Sequence, residues 1–293
     1  MPQPSPPSAS PSFATRVAAL AEGQVAVVGL PWDEQSSFMR GAALAPPRIR
    51  EVLHDGSGNL CTEHGADLGA TPGWTDVGDV ALTSGPAVLA EIEAAIDALV
   101  ERGARVLSLG GDHAVTYPVL RAYARAHPGL TVLHIDAHPD LYDQFEGSRL
   151  SHACPAARVM EEKLASRLVQ VGIRTMTPHQ REQATRFGVE VMEMRHWTPS
   201  RRLELGDAPV YLSLDLDALD PACAPGVSHH APGGFTTREV LGILHTIGPA
   251  LIGADIVEFN PRRDTGTTTA MLAAKFYREI VGRLLADRGR SAR

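Results

Sequence analysis

The sequence predicts a three-layer α-β-α sandwich with a central, mostly parallel sheet, and two observations carry that prediction. From Gln24 onward, short apolar runs alternate with amphipathic segments of helical length. Strands alternating with helices in this way build parallel sheets covered on both faces. The chain's polar clusters also fall at the carboxyl ends of the apolar runs, the edge where open parallel sheets place their ligand crevice.

In chain order the expected strands are residues 25–29, 105–109, 130–135, 168–172, 189–192, 210–216 and 252–259. They are short and mostly apolar, as strands buried on both faces are. The expected helices are residues 87–102, 117–126, 155–165, 178–187, 237–247 and 268–285. Residues 1–14 are rich in Pro and Ser, lack a basic start and an apolar core, and read as a disordered tail rather than a secretory signal. Residues 15–293 contain no internal repeat and no interior linker and read as a single catalytic domain.

The chain has 293 residues and a net charge of -7. It offers no basic patch for nucleic acid, and its mild acidity suits a cationic small molecule. No apolar stretch reaches the length of a membrane span. Cys61, Cys154 and Cys223 lie far apart without CxxC spacing, which argues against a disulfide framework and sets a reducing, cytoplasmic location as the expectation. Cys154 reads as an inert buried thiol.

The densest chemistry lies in His134-Ile135-Asp136-Ala137-His138-Pro139-Asp140. In an extended chain Asp136, His138 and Asp140 share one face. Burying that much charge is prohibitive unless a cation neutralises it. A second cluster, Ser213 to Pro221, repeats the pattern with Asp215 and Asp217, and Gly110-Gly111-Asp112-His113 supplies another imidazole. His113, the Asp136 group, the Asp215 group and Glu258 each close an expected strand. The six candidate ligands, His113, Asp136, His138, Asp140, Asp215 and Asp217, exceed one catalytic zinc, which takes three and keeps a position open. They suit two ions sharing carboxylates. Oxygen-rich donors with two imidazoles favour two Mn²⁺, with Ni, Co or Fe as substitutes, and paired ions lower the pKa of a shared water.

These motifs resemble the ureohydrolase family of arginase and agmatinase and are especially similar to plant-type arginases. The matching segments are Gly110–His113, Asp136–Asp143, Phe145–Gly147 leading into Ser151–Ala153, Asp215–Pro221, Ala224–His229, Gly253–Pro261 and Arg263–Thr265. Ser36–Phe38 and Ala45–Arg50 fit as well. The resemblance implies an arginase-like fold and a binuclear manganese site. Asp136 and Asp215 would bridge, His113 and Asp140 would complete one ion, and His138 and Asp217 the other. It implies that Glu258 pairs with a substrate guanidinium, which a carboxylate fork matches bidentately. His152 becomes the proton shuttle to the departing amine, a task for a group titrating near neutrality. The implied catalytic set is His152, Glu258 and Asp140, with Glu258, His152 and Tyr142 facing the substrate. A homo-oligomer, trimeric or hexameric, follows from the resemblance alone.

Hydrolysis of arginine to urea and ornithine is the expected reaction. Animal and bacterial arginases read the arginine α-carboxylate with an Asn where this chain has Tyr142, and Thr175-Met176-Thr177 after Gly172-Ile173-Arg174 brings no carboxylate for the α-amino group. Agmatine and guanidinobutyrate are therefore the alternatives. A mononuclear zinc deacylase would not need His113, Asp140 and Asp217 together. A non-catalytic relative would leave the buried charge without a purpose. Asp220, before Pro221, reads as a turn residue, His134 as a buried residue that supports Asp136 or packs behind it, and His229 and His230 as residues that line or flank the pocket mouth or hold the loop through Pro232-Gly233-Gly234.

Overall fold

The computed structural model describes residues 11–248 and 250–286 of the chain. Eight parallel strands form one sheet: β1 (Val25–Gly29), β2 (Trp74–Asp79), β3 (Arg105–Leu109), β4 (Thr131–Ile135), β5 (Arg167–Ile173), β6 (Glu190–Glu193), β7 (Val210–Asp215) and β8 (Leu251–Val257). Their spatial order is β2-β1-β3-β8-β7-β4-β5-β6. Alternate residues of each strand feed two cores: Val25 and Val27 of β1 join one, Ala26 and Val28 the other. Helices α2 (Ala45–His54), α7 (Thr237–Thr246) and α8 (Thr268–Ala286) cover the first face. The second is covered by α1 (Phe13–Ala18), α3 (Val88–Val100), α4 (Thr116–Ala126), α5 (Pro155–Glu161) and α6 (Pro178–Phe187).

The sheet order positions the site. The chain leaves β3 and skips two places before laying down β4, and β7 and β8 later fill the gap. The carboxyl ends of β3, β8, β7 and β4 thus stand side by side, although they end near residues 109, 257, 215 and 135.

Four expectations are corrected here. Residues 1–10 of the expected tail lie outside the described residues, but Phe13 and Ala14 belong to α1, capped by the Ser12 hydroxyl. β2 was not expected, because Trp74-Thr75-Asp76-Val77-Gly78-Asp79 is an edge strand with one fully buried residue and no apolar run. α2 was not expected either; its Pro46 and Pro47 occupy the first turn, where a missing N–H costs nothing. The expected helix 155–165 stops at Glu161, ahead of Lys163 in the left-handed region at φ 55°.

Candidate metal centre and active site

Gly111 explains why the first motif begins with glycine. A Cβ there would lie 1.7 Å from the Trp32 carbonyl oxygen, so only glycine lets the chain leaving β1 cross the end of β3. That crossing lets Trp32 O accept from Asp112 N (3.0 Å) and Gly111 O accept from Glu258 N (2.9 Å). Asp112 then caps a short 3₁₀ turn, His113–Val115, through its bond from Ala114 N, and His113 is delivered to the sheet edge.

The next motif does not work as an extended strand. β4 ends at Ile135, and Asp136 to Asp140 bend away with Asp140 at φ 50°. Convergence therefore comes from a folded loop, correcting the expectation of three side chains alternating on one strand face. β7 likewise ends at Asp215, whose carboxylate caps the 3₁₀ turn holding Asp217 (Asp217 N to Asp215 Oδ1, 2.8 Å). β8 ends at Val257 because Glu258 enters the left-handed region at φ 63°. Asp140 and Glu258 each carry backbone strain of roughly 1–2 kcal/mol, at positions where the carboxylate must be aimed out of line with its strand.

The six candidate ligands come together. His113 Nδ1 lies 3.1 Å from Asp136 Oδ2, 3.0 Å from Asp140 Oδ2 and 3.1 Å from Asp215 Oδ2. His138 Nδ1 lies 2.9 Å from Asp217 Oδ2 and 3.6 Å from Asp136 Oδ1. Asp136 thus turns one oxygen to each imidazole. Two groups of metal-capable donors result, each within 4.8 Å: His113, His134, Asp136 and Asp140, and then Asp136, His138 and Asp217. They share Asp136, a layout compatible with a binuclear metal site.

The charge state argues the same way. Apart from the half-buried His138, all these ligands are buried. Burial and the charges of Asp217 and Asp136 push the Asp215 carboxyl well above the usual range. Burial also raises Asp217, with His138 opposing. Despite its own burial, His138 is driven up to about 12 by Asp217 and Asp136. Most telling, His113 Nδ1 is buried amid three carboxylate oxygens and makes a well-formed hydrogen bond to none. Burial opposes charge on His113, yet Asp136, Asp140 and Asp215 push its pKa well above the ordinary imidazole range, so the cluster calls for positive charge among its carboxylates, which a divalent cation supplies. The donor set fits divalent metal.

Beyond His134, the support beneath these candidate ligands was not anticipated. Ser108, Asp255, Ser213, His134 and Gln170 occupy one register row across β3, β8, β7, β4 and β5. All five are buried on the same face. Ser213 Oγ donates to Asp255 Oδ1 (2.7 Å), so its oxygen can accept from His113 Nε2 (3.0 Å), turning Nδ1 toward the carboxylates. Thr116 and Tyr211 complete the bonds to Asp255. His134 Nε2 meets Asp136 Oδ2 at 2.7 Å and its Nδ1 meets Gln170 Nε2 at 3.0 Å, so of the two roles expected for His134 it takes the one of supporting Asp136. The sequence signal was a single polar residue between apolar neighbours in five strands, as in Leu133-His134-Ile135 and Ala254-Asp255-Ile256.

A cavity of about 170 Å³ opens over the cluster and is lined by His152, Glu258, Tyr142, Phe145, Thr175 and His229 among others. Glu258 Oε1 accepts from His113 N (2.9 Å) and pairs with His152 Nδ1 (3.0 Å), leaving Oε2 outside both bonds. Burial opposes charge on His152, but Glu258 raises it to about 9. Tyr142 stacks on His179 at 5.9 Å and lies against Phe145. Arg174 is committed to the carbonyls of Asp217, Ala218 and Ala231, bracing the Asp217 turn. Asp220 holds its turn through Ala222 N and Gly233 N. His229 lines the cavity, and exposed His230 bonds to Pro225 O. Burial pushes the Cys154 thiol up to about 12, in keeping with an inert thiol.

Comparison with known proteins follows the same lines. The arginase family model matches residues 23–282. The chain is 46% identical over 280 residues to a mitochondrial arginase 1 of Arabidopsis thaliana, covering 90% of this chain and 82% of that protein. It is 34% identical to an agmatinase of Bacillus anthracis, covering 89% and 91%. The structure of an arginase from Medicago truncatula superposes with a TM-score of 0.85 at 42% identity, covering 92% of this chain and 90% of that one. The cytoplasmic expectation is overturned by these matches, because the plant arginases carry mitochondrial or chloroplastic designations. With the metal-compatible cluster and carboxylate-ended strands in place over the whole matched length, the chain belongs to the arginase family, hydrolases of guanidino carbon–nitrogen bonds.

Proposed function

We propose that the protein is a binuclear manganese amidinohydrolase that converts arginine to ornithine and urea. The observation that carries the metal part is the buried, unbonded His113 Nδ1 facing three carboxylate oxygens. The arginine assignment is supported by 46% identity to a plant arginase over nine-tenths of the chain. In this reading Asp136 and Asp215 would be shared between two ions, with His113 and Asp140 helping to hold one and His138 and Asp217 the other. Oxygen-rich donors favour Mn²⁺ over softer ions. Bound ions would neutralise the carboxylates and acidify water to a nucleophile near neutral pH.

The protein's own groups do the rest. Glu258, fixed through Oε1, presents Oε2 to the planar guanidinium. His152, charged at neutral pH, gives its proton to the departing nitrogen as the carbon–nitrogen bond breaks. Tyr142 lines the outer cavity where the rest of the substrate lies. Residues 15–293 act as one catalytic domain. Phe38, Met39 and Leu44, exposed by 43–52% on one segment, support assembly into a homo-oligomer; a sedimentation mass of one chain would refute that.

Agmatine is the second reading, favoured by one observation: Arg174 is occupied with carbonyls, and among the described residues no Lys or Arg lines the cavity to meet an α-carboxylate. Urea release by the Mn²⁺-loaded protein is the test, with arginine, agmatine and 4-guanidinobutyrate compared and a chelated control. Turnover of arginine alone is expected; preference for agmatine would replace the substrate, and no urea from any would end the reading.

A further inference from the structure

We propose that Ser37 is a positioning residue of the proton shuttle: its hydroxyl holds the His152 ring with Nδ1 on Glu258 and Nε2 at the cavity. The inference rests on His152 being the donor to the departing amine. Ser37 Oγ lies 2.8 Å from His152 Nε2, and His152 Nδ1 lies 3.0 Å from Glu258 Oε1. An ionised carboxylate only accepts, so Nδ1 carries its hydrogen toward Glu258 and leaves Nε2 to Ser37 and the cavity. All three residues line the cavity. An imidazole held at one nitrogen alone can swing about that bond; held at both, it cannot, and misplacement of a proton donor is costly in rate.

The hydroxyl is itself held in place. Gln35 N and Ser36 Oγ both donate to Asp112 Oδ2, at 2.9 and 3.3 Å. His152 N donates to Gln35 O at 3.3 Å, and Ser148 Oγ donates to Gln35 Oε1 at 2.9 Å. On the far side, Asp33 Oδ2 accepts from Gly41 N (2.7 Å) and Ala43 N (3.2 Å). The segment around Ser37 is therefore fastened both to the loop carrying His113 and to the loop carrying His152. The order hydroxyl, imidazole, carboxylate is that of a serine-hydrolase triad, with the imidazole as the working group here.

In the step concerned, the carbon–nitrogen bond breaks and its electron pair stays on the departing nitrogen. That nitrogen displaces Ser37 Oγ as acceptor of the Nε2 hydrogen and takes the proton, and His152, left neutral, accepts from the Ser37 hydroxyl until solvent recharges it. Ser37 neither gains nor loses a proton; it fixes where the proton is held.

The test compares wild type and Ser37→Ala on arginine and on its guanidinooxy analogue, whose aminooxy leaving nitrogen is weakly basic and departs with little proton assistance. Ser37→Ala should lower kcat on arginine roughly 10- to 100-fold with KM within about twofold. The loss should shrink on the analogue, and Ser37→Thr should restore part of it. In a His152→Ala background, Ser37→Ala should cost nothing further. Equal losses on both substrates, additive losses in the double variant, or an unchanged kcat in Ser37→Ala would overturn the inference. A wild type releasing no urea from either compound would instead overturn the functional reading on which it stands.

Discussion

Two regions of this molecule bury carboxylates, and they balance the charge differently. Glu279 of α8 is 1% exposed, yet it accepts from Lys275 Nζ (2.5 Å), from Glu63 N (2.8 Å) and from His245 Nε2 (3.1 Å). Burial opposes its ionisation, but these partners, Lys275 foremost, hold its carboxyl below the usual range. At the metal centre, Asp136, Asp140, Asp215 and Asp217 have only imidazoles to answer them, and burial drives Asp215 and Asp217 upward. No Lys or Arg pairs with those four among the described residues' ion pairs. One acidic site is complete within the chain, and the other needs a ligand.

The largest effect should come from breaking the shared carboxylates. Asp136→Ala or Asp215→Ala should abolish urea release, by at least about a thousandfold, and lower bound metal below two per chain. Near-wild-type turnover in both would sink the two-ion assignment. Next is Glu258→Gln, which keeps shape but removes the charge from the guanidinium partner. Metal content should stay intact while kcat/KM falls by about 3 kcal/mol, roughly a hundredfold. An unchanged kcat/KM would remove Glu258 from the substrate site.

Stability separates the two acidic regions more directly. Metal at a hundred times its dissociation constant should stabilise the fold by about 2.7 kcal/mol, so chelation should lower Tm and metal should restore it. Glu279→Ala removes the acceptor shared by Lys275, His245 and Glu63 N and should cost about 1–3 kcal/mol, equally with and without metal. A chelation effect that vanished in Glu279→Ala would show the two regions to be one coupled unit.

What the sequence revealed divides along the same physical line. Strands 25–29 and 105–109 were legible to the residue because both lie inside the sheet and are buried on both faces. The edge strand β2 was not, since an edge needs no apolar run. The six candidate ligands were legible as clustered charge, but the route by which they meet was not. Asp140 and Glu258 are aimed by left-handed backbone, and Asp217 by a 3₁₀ turn. Ser37, Ser213 and Asp255 escaped because each is one polar residue whose partner lies far away in the chain, so register and loop crossing, rather than spacing, bring them to the site.

The smallest effect lies at the outer rim of the self-balanced region. Arg238, with Lys275 behind it, holds the Glu63 carboxyl at about 2, below its ordinary 4.5. A carboxyl lowered in the folded state contributes stability that is present above the unfolded pKa and lost as pH falls through the folded one. The Glu63 contribution should therefore fade between about pH 4.5 and 2 and be flat above pH 5. Glu63 is largely solvated, so its pairing with Arg238 contributes at most about 1 kcal/mol and less in salt. Acid also strips the metal centre, so the wild-type curve alone mixes both regions. The difference between wild type and Glu63→Gln in chelated urea unfolding isolates the rim, because the metal-centre carboxylates titrate alike in both. A difference that persisted unchanged down to pH 2 would mean that Glu63 does not act through its charge.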